Sequence, residues 1–202
     1  MKKEIRKKEL IKTAYDLFIT KGYENTSVDA IIAKAGIAKG TYYYHFESKE
    51  QMLEEVIDMM IYNGIERAKQ VVNSDLKMEE KLVYTILALR VSPEEQSVQN
   101  AIHTKENIIL HEKINNKIID EATPLISSIV REGIKDGIFI MDDNVEERVR
   151  MSLILSNEMF DHTEITKESV YVFIDTLEKI YGAKKGTLSF IGNLIKEEQN
   201  EK

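Results

Sequence analysis

The chain has 202 residues, no cysteine and a formal net charge of −7, which allows one or two domains with sizeable cores and excludes a disulfide framework or a thiolate metal site. Its apolar runs are short and interrupted, and its charged first residues lead into no apolar segment; neither a membrane span nor a signal peptide is expected, and a soluble, cytoplasmic protein is. The charge is unevenly spread: residues 1–50 hold ten Lys or Arg against seven Asp or Glu, with Lys2, Lys3, Arg6, Lys7 and Lys8 expected ahead of the first settled helix, while the remainder is acidic.

The first helix is expected over about residues 3–21, with Leu10, Ile11, Ala14, Leu17 and Phe18 as its apolar stripe and Gly22 as its stop. Two short helices follow. Ser27 is placed to cap the first, Asp29 suits its positive end, and Val28, Ile31, Ile32 and Ala35 form its buried face. Gly36 stands where a helix ends in a left-handed residue, and the next helix starts at about Ala38. Helical spacing turns Ile37, Tyr42 and Phe46 inward and Lys39, Tyr43 and Tyr44 outward. Two short helices joined by a glycine turn match the helix-turn-helix, whose second helix enters the DNA major groove. Gly40 costs that helix about 1 kcal/mol against alanine, a cost that makes sense where another molecule must come close to the backbone. Exposed rings beside a lysine suit DNA, since a ring packs on a thymine methyl or sugar and a phenol or imidazole donates to a phosphate.

Helix 4 begins near Ser48, with Gln51 for a capping box, and runs through Met52, Leu53, Val56, Ile57 and Met60 to about Val72. Its length makes it a natural lever between two domains. Helix 5 is expected over Lys77–Val91, with Leu82, Ile86 and Leu89 on one side and Val83 and Leu87 beside them. Ser92-Pro93 opens the next element, and the stretch from Val98 to Leu110 is patchier, with His103 and His111 near its ends. A longer helix spans about Glu112 to Asp136; Pro124 inside it predicts a kink, or a break with Thr123 as cap. Asp142-Asp143-Asn144 caps helix 8, which runs to about Phe160 and carries small residues at Ser152 and Ser156 that would admit another helix. Helix 9 begins near Thr166 with Ser169 as capping partner, and turns Val170, Phe173, Ile174, Leu177 and Tyr181 to one face. A small apolar cluster from Leu188 to Ile195 predicts a short final helix. Little strand signal and two prolines point to an all-α protein.

The segment from about Ile5 to Ile57 resembles the DNA-binding domain of the tetracycline-repressor (TetR) family. The resemblance is carried by the apolar helix ending in Phe18, Lys21-Gly22-Tyr23, Thr26-Ser27-Val28, Ile31-Ile32-Ala33, Ala35-Gly36-Ile37 and above all Lys39-Gly40-Thr41-Tyr42-Tyr43-Tyr44-His45-Phe46, followed by Lys49. Tyr42 departs from the leucine usual in the family. The resemblance implies an N-terminal three-helix helix-turn-helix domain at 1–47, joined by the long helix to a helical ligand-binding and dimerisation domain at 48–202, with about nine to ten helices in all. It implies that Ser27 and its helix end bind a phosphate, that Lys39, Gly40 and Tyr43 sit nearest base edges, that Thr41, Tyr44 and His45 hold the backbone or flanking bases, and that Lys49 pins a phosphate. It further implies a homodimer, paired through helices 8 and 9, and a repressor released from a double-stranded DNA operator by a small-molecule effector. Met59, Met60, Tyr62, Tyr84, Phe139 and Met151 are candidates to line the effector site among helices 4 to 8. No cofactor or metal is expected.

Two rival readings are weaker. An enzyme would draw on His103, His111, Glu106 and Glu112, but histidines eight apart miss the spacing of a helical metal site, and no nucleophile elbow, phosphate loop or dinucleotide fingerprint is present. A sequence-blind architectural DNA protein would need a broader basic surface than residues 1–50 offer.

Overall fold

The computed structural model describes residues 2–102, 108–141, 143–162 and 165–193, and these are all-helical, with no strand among them. Expectations for His103, Glu106, Asp142, the Phe160 side chain and the tail beyond 193 lie outside the described residues. The chain divides into two compact units, Met1–Gly64 with Arg90–Ile114, and Ile65–Leu89 with Asn115–Lys202.

The first unit is built on α1 (Lys2–Lys21), α2 (Val28–Ala35), α3 (Lys39–His45), the opening turns of α4 (Lys49–Val72), a 3-10 turn at Pro93–Glu95 and α6 (Gln96–Ile102). Leu10, Ala14, Leu17 and Phe18 of α1 are buried, as their spacing requires, and α4 buries Met52, Leu53, Val56 and Ile57 at the same period. The early cations do not precede a settled helix: α1 starts at Lys2. Arg6 is paired with Glu9 at 3.0 Å and Lys7 with Glu55 at 2.6 Å, so part of the basic cluster is engaged within the protein. The stretch that looked patchy is anchored here. Val98, Ala101 and Ile102 are buried, the Ser97 hydroxyl donates to the Phe18 carbonyl at 2.8 Å, and the Tyr15 phenol donates to Glu95 at 3.0 Å.

The second unit holds the end of α4, α5 (Met78–Leu89), most of α7 (Ile108–Lys135), α8 (Val145–His162) and α9 (Lys167–Ile180). Its core gathers Leu82, Ile126, Ile129, Phe139, Val149, Phe173 and Leu177. On α5 the expected Leu82 is buried and Leu89 packs against the core, while Leu87 is exposed. Met78, Lys81 and Thr85 are buried as well; the Lys81 ammonium meets the Glu132 carboxylate at 2.8 Å and so tolerates an inward position. Pro124 does not break α7; the helix runs through it, with Pro124 on the exposed side. Thr123, rather than capping a new helix, donates its hydroxyl to the Ile119 carbonyl at 2.6 Å. Asn144 adopts a left-handed φ of 73° just before α8. Ser152 is buried and donates to the Arg148 carbonyl at 2.9 Å. The start of α9 is the expected reciprocal cap: Thr166 N–H donates to Ser169 Oγ at 2.9 Å, and Ser169 N–H to Thr166 Oγ1 at 3.0 Å. Beyond α9, buried Glu178 accepts from the Leu188 N–H at 2.9 Å and holds the following turns against the helix.

Of the side chains expected to line an effector site, Phe139 is locked in the core, and Tyr84 and Met151 lie on the surface of the second unit. Tyr62 is likewise exposed on the first.

Gly182 has a φ of 60°, and a Cβ there would stand 1.9 Å from the Ile140 carbonyl oxygen; Gly137 has a φ of 71° and open space around its missing Cβ. Gly137→Ala is expected to cost about 1–2 kcal/mol from the left-handed backbone alone. Gly182→Ala adds a backbone collision and should destabilise distinctly more, measured by urea unfolding of the two variants side by side.

Candidate nucleic-acid interface

The α2–α3 pair is shaped by its ends. Ser27 caps α2 by accepting the Ala30 N–H at 3.1 Å, which leaves its hydroxyl proton to donate elsewhere. Gly36 ends α2 at φ 62° and ψ 40°, with its N–H on Ala33 and the next N–H, of Ile37, reaching back to Ile32 at 3.3 Å. This closing pair of bonds turns the chain between the two helices. Of the expected α2 face only Ile31 is fully buried; Val28, Ile32 and Ala35 are partly covered.

Helix α3 is seven residues long, too short to hold itself together in water. Two rings hold it. Tyr42 and Phe46 are both 0% exposed, their centroids lie 5.5 Å apart, and the Tyr42 phenol donates to the Ser48 carbonyl at 3.2 Å. Tyr42 thus fills a position expected to suit leucine and adds a hydrogen bond to the start of α4. With that face inward, Lys39, Gly40, Tyr43 and Tyr44 are exposed, and Thr41 and His45 lie at the edge, half-buried. Tyr44 and His45 meet edge to face at 5.1 Å.

Gly40 has neither of the usual internal reasons for being glycine. Its φ is not positive, and a Cβ would meet nothing within 4 Å. Lys39 reaches back to Asp29 on α2 at 3.1 Å, and that hydrogen bond and charge raise its pKa, keeping the ammonium protonated. At the start of α4, Ser48 accepts the Gln51 N–H at 3.1 Å, and Gln51 accepts the Glu47 N–H at 2.6 Å, one residue earlier than a simple capping box. The same serine and the helix-end N–H hold the Glu50 carboxyl below its usual range. The Lys49 ammonium lies 4.1 Å from the centre of the Tyr23 ring. The residues expected to meet DNA therefore fall at the N-cap of α2, along α3 and on the first residue of α4. The partners Asp29 and Tyr23 are absent from that expectation, being ten and 26 positions from the lysines they meet, beyond the reach of a helical period. Among the described residues there is no group of three or more His, Cys, Asp or Glu able to hold a metal.

Comparison with known proteins points the same way. The model of the bacterial regulatory proteins, tetR family, matches residues 10–56. The HTH-type transcriptional repressor KstR2 of Mycolicibacterium smegmatis is 30% identical over 145 residues, covering 70% of this chain and 71% of that protein. The fatty acid metabolism regulator protein of Bacillus subtilis is 26% identical over 133 residues, covering 64% and 68%. Among solved structures, a transcriptional regulator from Cytophaga hutchinsonii superposes with a TM-score of 0.58 at 18% identity, over 86% of this chain and 93% of that one, a likeness of fold.

Burial, with smaller contributions from Tyr43 and Glu50, pushes the Tyr42 phenol up to about 12. The raised value means that the folded state favours the protonated phenol, so this stability is present below an unfolded pKa of about 10 and lost as pH rises towards 12. Tyr42→Phe is expected to flatten the fall in chemical-denaturation midpoint between those two pH values, and to lower stability at neutral pH by about 1 kcal/mol through the lost hydrogen bond.

Proposed function

This chain belongs to the TetR family of bacterial regulatory proteins, and from that premise we propose that it is a repressor whose exposed α3 face reads a DNA operator. It is a DNA-binding transcription regulator, in a family of regulators and not of enzymes. The observation that carries the reading of the site is Gly40: a glycine required by neither backbone nor packing, on the outward face of α3, between Lys39 and Tyr43. Lys39, Gly40 and Tyr43 would lie against base edges; Ser27, Thr41, Tyr44, His45 and Lys49 would hold the sugar-phosphate backbone and flanking bases. Residues 1–47 would be the DNA-binding part, and 48–202 the effector and dimerisation part.

The repressor assignment draws on the relatives' names, KstR2 among them. Pairing into a homodimer through α8 and α9 is supported by their exposed apolar side chains, Met151, Ile154 and Leu155 on one and Tyr171 and Val172 on the other. Two copies would present two α3 helices to half-sites one helical turn apart. Release by a small molecule is supported by two buried hydroxyls of the second unit, Thr85 on α5 and Ser127 on α7, which have no hydrogen-bond partner among the described residues. Orphan hydroxyls of this kind favour a ligand's polar group over an apolar filling. An effector bound there would act through α4, whose residues belong to both units. The absence of a helix long and apolar enough to cross a membrane, among the described residues, accords with a cytoplasmic site of action.

Titration against DNA from upstream of the protein's own gene, with scrambled competitor, tests the reading. Gly40→Ala should raise thermal stability, by about 1 kcal/mol of helix propensity, and yet weaken specific binding. Tyr43→Ala and Lys39→Ala should lose the preference for the specific duplex, whereas Lys49→Ala should weaken both duplexes about equally. If Gly40→Ala gains stability with no loss of binding, the outward face of α3 is not the reading surface. For the dimer, Ile154→Glu together with Val172→Glu should yield monomers in sedimentation and a steep loss of operator affinity.

A further inference from the structure

On the reading that Lys49 meets a phosphate, we infer that Tyr23 is the positioning residue for that contact: its ring face fixes the Lys49 ammonium at the DNA-facing end of α4 before DNA arrives. Lysine is a flexible point charge on a long stem, and a phosphate contact must freeze that stem. It also stands here as the first residue of α4, the helix end where the backbone dipole disfavours a cation. Left alone, the side chain would have reason to swing away. The structure instead shows its ammonium 4.1 Å from the centre of the Tyr23 ring, well inside the range of a cation–π contact.

The ring is not placed by the lysine. Tyr23 is 7% exposed and wedged edge-on against buried Phe18, centroids 5.2 Å apart at 77°. The turn that carries it is locked from both sides: Gly22, at φ 84°, donates to the Phe18 carbonyl at 2.9 Å, and buried Thr26 donates its hydroxyl to the Gly22 carbonyl at 2.8 Å. Burial and the nearby Glu50 and Glu24 push the phenol up to about 12, so the ring carries no charge of its own. The result differs in kind from the hold on Lys39. Asp29 meets Lys39 with an opposite charge, which DNA must displace or share. A π face leaves the Lys49 charge uncancelled while restricting where it can be.

The test uses full-length protein and a mixed-sequence duplex, with affinity read against salt concentration for wild type, Tyr23→Phe, Tyr23→Leu, Lys49→Ala and the Tyr23→Leu, Lys49→Ala double variant. Tyr23→Phe keeps the ring and should bind as wild type. Tyr23→Leu should weaken binding roughly three- to tenfold, within the range of a cation–π contact, and should have no further effect once Lys49 is alanine. Lys49→Ala itself should reduce the salt slope by about one. An equal loss from Tyr23→Leu in both backgrounds would overturn the inference, since the ring would then only support the fold. A harmless Lys49→Ala would overturn the phosphate reading of Lys49 itself, a different failure. Should Tyr23→Leu fail to fold, reductive methylation with carbon-13 reads the contact in the native chain. The Lys49 methyl resonances should be shifted upfield by the ring and stay so on DNA, and an unshifted resonance in the free protein would overturn the inference.

Discussion

The burial of Tyr42 and Phe46 is the constraint on which the functional surface depends. A helix of seven residues has no stability of its own, and its orientation is whatever its anchors allow. Two large side chains at i and i+4, both fully buried, leave α3 one way to sit. That choice turns Lys39, Gly40, Tyr43 and Tyr44 outward as a set. In the same unit α1 buries Phe18, α4 buries Met52 and Leu53, and α6 is tied to α1 by the hydrogen bond from Ser97 to the Phe18 carbonyl. A Cβ at Gly40 would meet nothing within 4 Å, so that outward position is open to choice by the partner.

Much of this was legible in the sequence for a physical reason. Caps and turns are local chemistry, so Ser27, Gly36 and Thr166 announce their roles within three or four residues, and the structure bears each of them out. The inward and outward faces of α3 follow from helical spacing alone, and the all-helical class from periodicity and the scarcity of proline. The membership of 90–114 in the first unit was not legible, because Val98, Ala101 and Ile102 pack without a long stripe and the neighbouring Ser97 and Glu95 bond to Phe18 and Tyr15, about eighty positions earlier. On α5 the inward Lys81 was not legible, because hydropathy assigns lysine outward, whereas an ion pair with Glu132 lets it turn in. Pro124 suggested a kink or a break, and there is no break: α7 continues through it, since a proline forfeits only one backbone bond.

Within the interface, the residue types were legible and their partners were not. Nothing in the local pattern says that Lys39 will find Asp29 across the turn, or that Lys49 will find the ring of Tyr23. Yet those partners decide how each lysine is held, one by a carboxylate and one by a ring face. The second unit tells a similar story from the other side. Met and aromatic residues suggested a pocket lining, but Phe139 is core and Tyr84 and Met151 are surface. Among the described residues the buried Thr85 and Ser127 hydroxyls lack partners, which hydropathy does not single out.

In the proposed function the outward face of α3, presented twice by a dimer, reads a DNA sequence. Selection of bound duplexes from a random pool by the wild-type protein puts this to the test. A single enriched inverted repeat with half-sites about 34–36 Å apart, or a multiple of that spacing, is expected. Recovery of duplexes with no enriched sequence, at an affinity set by salt alone, would show that α3 does not read sequence.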